Sequence, residues 1–584
     1  VKRRSVLLGT TAAIAATAVE SVPGTASAAP AGSAPAVSPA DIAAPGPDAV
    51  TVRAGDPRYG DLTVGNNARW TARPDAVRLV RTTAQVVKAV QEAVDAGKRI
   101  SVRSGGHCYA DFVFNPEVKV VIDTSLLDTV GYDERFQAFE VGAGSTLLHV
   151  YDSLFKGWGV AIPGGMCYSV GAGGHISGGG YGMLSRRHGL TVDHLYAVEV
   201  VVVDANGRAR SVIATREAAD PNRDLWWATT GGGGGNFGVI TRYWFRSPGA
   251  TGTDPAGQLI KPPAEVLVSA IALPWSELDK DAFTSLVLNF GDWHTKNGDP
   301  NSPAASLCSF LMMNHQSNGS IGLLTQIDAG VPGADQVLAD FLAYVTAGLP
   351  SSAAKPATGP IGELGPMPHL FTPQRLPWLT SVKLLGTSNP TLTSPTLRGH
   401  HKSAYLRRNL SAAQAATLYR QLTRTDHVNP ASMVVLLSYG GKINTVGSAD
   451  TASAQRDSVY KGLFQSFWAD SAGDAENIDW VRSVYGEVFA DTGGYPVPGP
   501  AADGCYINYP DADITDAKVN TTGVPWYTLY YKGNYPRLQK IKAAYDPRDT
   551  FRHSQSIRLP AGTPTVKPTV KPTPKPSTSP GGTP

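Results

Sequence analysis

The stretch Ile100-Ser101-Val102-Arg103-Ser104-Gly105-Gly106-His107 is a short strand-forming run that stops at two glycines and presents an imidazole at the break. Glycine lets the backbone approach a ligand with no Cβ in the way, and the amide N–H groups of such a turn can hold anionic oxygens. Upstream, Val77 to Val80 reads as a strand. Thr82 with Gln85 then forms a capping box ahead of an apolar stripe at Val86, Val87, Val90, Ala93 and Val94, closed by Gly97. Strand, helix and the strand Ile100 to Val102 make a βαβ unit that delivers His107 at a strand's C-terminal end. Units of this kind bind ligands at that edge.

A Gly-Gly turn and a single histidine are common, so the reading needs a second feature. It comes sixty residues later in Pro163-Gly164-Gly165-Met166-Cys167-Tyr168-Ser169-Val170-Gly171-Ala172-Gly173-Gly174-His175-Ile176-Ser177-Gly178-Gly179-Gly180-Tyr181-Gly182. Nine glycines in this stretch cannot form a stable helix or strand interior, since each costs backbone entropy, and they bring bare backbone against something else. Further out, Val118 to Ile122 and Ala138 to Val141 read as strands, and Val198 to Val203, Asn206-Gly207 and Ala209 to Ile213 as a hairpin with a type I′ turn. The run Gly231 to Gly235 lies between Trp226-Trp227 and the apolar Val239-Ile240, and reads as a ligand loop rather than a linker.

Taken in order, these motifs resemble the flavin-linked oxidases of the berberine bridge enzyme type. They are His107 after Arg103-Ser104-Gly105-Gly106, Cys167 followed by Val170-Gly171 and Gly173-Gly174-His175, then Gly178-Gly179-Gly180 and Arg187-His188-Gly189-Leu190-Thr191-Val192-Asp193. Within the family the likeness is nearest to the bacterial secreted branch of aclacinomycin-type and gluco-oligosaccharide-type oxidases. Cys505-Tyr506-Ile507-Asn508-Tyr509 and Tyr530-Tyr531-Lys532-Gly533-Asn534-Tyr535 resemble the family's C-terminal module, and the matching segments cover most of Asn66 to Ile557. The resemblance implies an α+β fold: a two-subdomain FAD-binding domain of the PCMH or vanillyl-alcohol-oxidase type, plus an α+β substrate domain with an antiparallel sheet. It also implies FAD held by two covalent bonds, from His107 to the 8α carbon and from Cys167 to C6 of the ring. By the same likeness Arg103, Ser104, Gly105, Gly106, Val170, Gly171, Gly174, His175, Gly178, Gly179, Gly180, Gly182, Val239, Ile240, Asn508 and Asn534 are cofactor-binding positions. Val170 matches the small gating residue with which family oxidases admit oxygen, which implies an oxidase producing hydrogen peroxide.

Oxidising an alcohol requires a hydride acceptor, supplied by the flavin, and a base for the hydroxyl proton. The family takes tyrosines for this purpose, and the candidates here are Tyr506, Tyr509 and Tyr439. A tyrosine's ordinary pKa near 10 would have to be lowered or its proton relayed. Where berberine bridge enzyme itself has a catalytic carboxylate, this chain offers Gly440-Gly441-Lys442-Ile443-Asn444 after Tyr439, which favours alcohol oxidation over C–H activation of an alkaloid. The four cysteines show no metal spacing, so no metal site is expected; a disulfide between Cys108 and Cys505 stays open.

The 584 residues exceed what one core normally serves, and a net charge of +3 argues for neither nucleic acid nor an anionic surface. Residues 1–28, with Arg3-Arg4, an apolar run and Ala26-Ser27-Ala28, read as a twin-arginine export signal, too small and alanine-rich for a membrane anchor. The reading continues with a disordered lead-in over 29–57, an FAD-binding domain over 58–248, a substrate domain over 249–499, the C-terminal module over 500–559 and a Pro/Thr/Lys-rich tail over 560–584. The expected protein is thus a secreted monomer acting on a bulky small-molecule or oligosaccharide alcohol and on oxygen, with wall association through the tail left open. Two alternatives remain: a dehydrogenase with a non-oxygen acceptor, and a non-catalytic wall or carbohydrate-binding protein.

Overall fold

The computed structural model describes Gly46 and residues 48–563; the residues read as an export signal, most of those read as a lead-in and most of those read as a tail lie outside the described residues. The described residues form three sheets and the helices packed on them, an α+β architecture. The first sheet contains β1 (Val50–Val52), β2 (Ala76–Leu79), β3 (Ile100–Arg103) and β4 (Val120–Asp123) in the order β1-β2-β4-β3. Strands β2 and β3 both run parallel to β4, which lies between them, so the βαβ unit read from the sequence is real but its two strands are not neighbours. Strand β1 falls inside the span read as disordered lead-in. It pairs antiparallel with β2 and buries Val52, so order begins before residue 57.

The helix Thr83–Asp95 starts where its cap predicts: Thr82 Oγ1 accepts from Gln85 N, and the Gln85 side chain reaches back to Arg81 N at 2.7 Å. Its buried face, Val86, Ala89, Val90 and Ala93, packs on Ile100, Val120 and Ile122 of the first sheet and on Val201, Val203 and Val239 of the second. That second sheet is antiparallel, in the order β5 (Val130–Asp133), β6 (Ala138–Gly142), β9 (Val239–Phe245), β7 (Leu195–Val203), β8 (Ala209–Thr215). All nine residues of β7 are buried because the strand is covered on both faces. Val201 and Val203 meet the helix, while Val198, Val200 and Val202 enter the main core. The β7–β8 hairpin forms, but its turn differs from the expected type I′. Gly207 N donates to Asp204 O at 2.9 Å, Asp204 N to Arg208 O at 3.0 Å, and Gly207 alone in the loop is left-handed, at φ +77°. This is a type I turn closed by a glycine bulge, one residue longer than the pattern Asn206-Gly207 suggested.

The third sheet is antiparallel and has eight strands: β10 (Glu265–Pro274), β11 (Cys308–Asn314), β12 (Ser320–Asp328), β13 (Lys355–Pro356), β14 (Gln374–Pro377), β15 (Arg398–Leu406), β16 (Ser432–Ser438) and β17 (Tyr460–Trp468). Its central order is β10-β12-β11-β16-β17-β15. The register sets Phe310 opposite Leu437, Met312 opposite Val435, and Val435 opposite Leu463. With side chains alternating every second residue, these five form one apolar patch on one face. The C-terminal segment fastens onto the glycine run 231–235 and Asn236. Lys542 Nζ donates to Asn236 O at 2.7 Å, Ile557 N to Asn236 Oδ1 at 2.8 Å, and Tyr531 OH to Gly232 O at 3.0 Å.

Candidate active site

The turn after β3 and the glycine-rich stretch meet by direct backbone contact. A Cβ on Gly105 would collide with Gly171, and one on Gly171 with Ser104 Oγ and Gly105, so both glycines are required by the crossing of two loops. Ser104 Oγ donates to Ala143 O at 2.7 Å and fixes the crossing to the strand side. Arg103 is paired with the buried Asp123 at 2.8 Å, which pins the end of β3.

This crossing brings His107 and Cys167 to one place. Ser169 Oγ stands 2.9 Å from His107 Nε2 and 3.8 Å from Cys167 Sγ. Asn66 Nδ2 also stands 2.9 Å from Nε2 and donates to Leu392 O at 2.6 Å. Burial, with a smaller contribution from Arg103, lowers the His107 pKa to about 4, so the imidazole is neutral at pH 7. Burial raises the Cys167 thiol in turn.

Both residues line a cavity of about 290 Å³. Its walls include Ser104, Gly105, Gly106, Val170, Gly171, Gly174, His175, Gly182, Ile240, Tyr506, Asn508 and Tyr509 among the expected positions, with Gly233, Gly234, Gly235 and Asn236 from the second glycine run. Facing them is the apolar patch of the third sheet, Phe310, Met312, Val435, Leu437 and Leu463.

Other expected positions serve the frame instead. Gly178 makes room for Asn508, whose Nδ2 donates to His175 O at 2.8 Å; Gly179 and Gly180 make room for Ser453 and Thr191. Val239 lies in the core beneath the first sheet, and Asn534 donates to the carbonyls of Ser448 and Thr451. His175 lines the cavity, but its Nε2 accepts from Gly165 N at 3.0 Å. Tyr439, the third tyrosine candidate, is fully buried, and its hydroxyl donates to Gln455 O at 3.1 Å. The four cysteines are free thiols, including Cys108 and Cys505.

Comparison with known proteins gives the same picture. A family model described as an FAD binding domain matches residues 74–212, and one described as berberine and berberine like matches 505–558. The aclacinomycin-N/aclacinomycin-A oxidase of Streptomyces galilaeus is 50% identical over 556 residues, 95% of this chain and 98% of that protein. The chain belongs to the berberine bridge enzyme-like family of FAD-dependent oxidoreductases. Hexose oxidase of Chondrus crispus is 32% identical over 88% of this chain and 96% of its own. The crystal structure of a glycopeptide hexose oxidase complexed with teicoplanin superposes with a TM-score of 0.80 at 45% identity, covering 87% of this chain and 99% of that one. The residues present fit the family's cofactor: a neutral imidazole and a thiol stand at one end, and glycine backbone lines the length of the wall. At Gly174 a Cβ would meet nothing within 4 Å, so this part of the wall faces open space.

Several residues of the site were not found from the sequence. Lys461 on β17 places Nζ 3.8 Å from the ring centroid of Tyr181, 4.4 Å from that of Tyr506 and 4.8 Å from that of Tyr509. Among the described residues Nζ has no hydrogen-bond partner, and burial holds its pKa well below that of an ordinary lysine. Glu363, in the loop before β14, is a carboxylate in the cavity wall whose pKa burial raises. Tyr109 stacks on His401 at 3.7 Å between centroids and lines the same cavity. No periodicity marks these positions, because each enters the site through strand register or a loop.

Proposed function

We propose that this enzyme is an exported oxidase carrying FAD through two covalent bonds, from His107 and Cys167, and that it oxidises an alcohol of a sugar or of a glycosylated or polyketide-type molecule, with dioxygen as acceptor. The observation that carries this reading is the convergence of His107 and Cys167 on the Ser169 hydroxyl at one end of the cavity, opposite an apolar wall flanked by tyrosines. A desolvated neutral imidazole has its nitrogen lone pair available, as bond formation to carbon requires. The relatives named as oxidases of aclacinomycin and of hexose support the substrate class, and Val170 in the cavity wall supports access for oxygen. When bound, the flavin supplies the hydride acceptor.

Of the candidate bases, Tyr506 is preferred. Its oxygen accepts from Asn508 Nδ2 at 3.0 Å, a bond that favours the phenolate, whereas no side chain or backbone group bonds the Tyr509 hydroxyl among the described residues. Burial raises Tyr506 to about 12, and the bond from Asn508 works against that rise. Lys461 Nζ over the Tyr506 ring is the group whose protonation would favour the phenolate, since a cation stabilises a nearby anion. The substrate hydroxyl proton then passes to Tyr506 oxygen, held in place by Asn508.

The test is the absorbance and mass of acid-denatured protein for wild type, His107→Ala, Cys167→Ala and the double variant. Flavin retained in wild type and in each single variant, and lost only in the double, is the expected result; flavin released from denatured wild type overturns double attachment. Turnover with oxygen against turnover with an artificial acceptor, scored by hydrogen peroxide, separates oxidase from dehydrogenase.

A further inference from the structure

Cys167 and His107 are joined by a hydrogen-bonded chain that has a direction. Among the described residues Cys167 Sγ has one side-chain partner, Ser169 Oγ at 3.8 Å, and Ser169 Oγ stands 2.9 Å from His107 Nε2. The amide of Asn66 sets the sense of the chain. Its Nδ2 donates to Leu392 O at 2.6 Å, so it is the amide nitrogen, and not the oxygen, that lies 2.9 Å from Nε2. An amide nitrogen only donates. Nε2 is therefore an acceptor, the Ser169 hydroxyl donates to it as well, and the lone pairs of Ser169 Oγ are left for the Cys167 thiol. Reactive cysteines commonly owe their thiolate to a neighbouring cation. Here the groups that work against the rise caused by burial are the Ser169 hydroxyl and the amides of Ser169 and Val170, none of them charged, so the thiol proton needs an acceptor it can reach.

We propose that Ser169 is the proton relay of flavin attachment: its oxygen takes the proton of the Cys167 thiol while its own proton passes to His107 Nε2, and Sγ is freed to bond to the ring. The relay rests on the two-bond reading given above. Each of the two bonds replaces one hydrogen of the flavin by a side chain, so two protons and two electrons leave per bond. The electrons pass to dioxygen, which with two protons becomes hydrogen peroxide. For the sulfur bond one of those protons is the thiol's, and Ser169 is its way out. Burial disfavours both the thiolate and the imidazolium, so the transfer is completed only as the bond from sulfur to carbon forms. A carbon bond at Nδ1 leaves the Nε2 lone pair in place, so the relay works whether His107 is attached first or second.

The test reads attachment instead of turnover. Wild type, Ser169→Ala, Ser169→Thr and Ser169→Val are purified as flavoproteins at about pH 7 and denatured in acid; peptide masses locate the flavin on His107 and Cys167, and titration in denaturant counts the free thiols among the four cysteines. Wild type and Ser169→Thr should carry both bonds and have one free thiol fewer than Ser169→Ala and Ser169→Val, which should hold flavin on His107 alone. Left in air, the last two should form the sulfur bond slowly and about 10-fold faster for each unit of pH, because without the relay the bond waits on the thiolate fraction, which rises tenfold per unit below the thiol's pKa. Threonine and valine share a shape, so a packing defect affects both alike and only the hydroxyl separates them. Both bonds complete in the freshly purified Ser169→Ala or Ser169→Val, a late bond indifferent to pH, or a Ser169→Thr that behaves like Ser169→Val each overturn the relay alone. A wild type without the sulfur bond overturns the two-bond reading, and the relay with it.

Discussion

At the scale of the residue, the chemistry depends on what burial does to three kinds of group. His107 is kept neutral, Cys167 is kept a thiol, and Tyr506 is pushed up to about 12, which is far from the working range of a base. The Asn508 bond to its oxygen works against that rise, and the Lys461 side chain lies over its ring. Replacement Tyr506→Phe should lower kcat at least 100-fold with little change in KM, as expected for removal of a general base. Lys461→Met should lower kcat roughly 10-fold or more at neutral pH. A phenolate that forms with Lys461 protonated over its ring is disfavoured when that amine is removed, so the rising limb of the kcat/KM profile should move to higher pH; a pH–rate profile that keeps its rising limb in place would remove Lys461 from the base. Tyr439, the third candidate, is bonded to Gln455 O, so Tyr439→Phe should leave that profile unmoved.

At the scale of the element, the glycine-rich stretch does two jobs that its composition alone does not separate. All of Gly105, Gly171, Gly174 and Gly234 line the cavity, but Gly105 and Gly171 are in addition required where two loops cross with no room for a Cβ. Gly171→Ala should therefore act on the crossing itself: His107 and Cys167 move apart, and flavin content falls together with thermal stability. Overpacking of this kind costs about 1–3 kcal/mol or more, and the flavin-to-protein absorbance ratio with a melting curve measures both effects. The cap of the helix Thr83–Asp95 is a milder case. Thr82→Ala should cost about 1 kcal/mol in a denaturation experiment and leave flavin content unchanged, because only one orphan N–H is lost.

At the scale of the whole molecule, the C-terminal segment closes the site by buried polar bonds as well as by packing. Lys542 is completely buried and donates to Asn236 O, Phe551 O and Asp546 Oδ2 at 2.6–2.7 Å. Lys542→Met leaves Asp546 without its charge partner in the core, a change worth about 3–5 kcal/mol; the melting temperature should fall and residues 505–558 become sensitive to protease. Stability should also depend on acid. Burial lowers His175 and His188 to about 4 and His553 to about 3, so the unfolded chain, with histidines near 6.5, binds more protons below neutrality. The stability these groups contribute is complete above pH 6.5 and is lost as pH falls toward 4, so melting temperatures measured from pH 7.5 to 4.5 should drop steadily.

Much of the flavin side of the cavity was legible in the chain itself. Its determinants are local: a strand that ends in Gly-Gly-His, a capped amphipathic helix, glycine where backbone meets backbone, and an order of motifs that no other part of the chain imitates. Tertiary structure alone decided the substrate side. Lys461, Leu437, Tyr181 and Tyr506 come from β17, β16, the glycine-rich stretch and the C-terminal segment, and they meet because of one antiparallel register. A shift of one residue would turn Lys461 to the opposite face, yet nothing in the run Tyr460-Lys461-Gly462-Leu463-Phe464 states which partner it faces. The same holds for β4, inserted between β2 and β3, and for Glu363 in the cavity wall. Side-chain identity and spacing fix what a segment can become, and the pairing of distant segments fixes which side chains share a cavity.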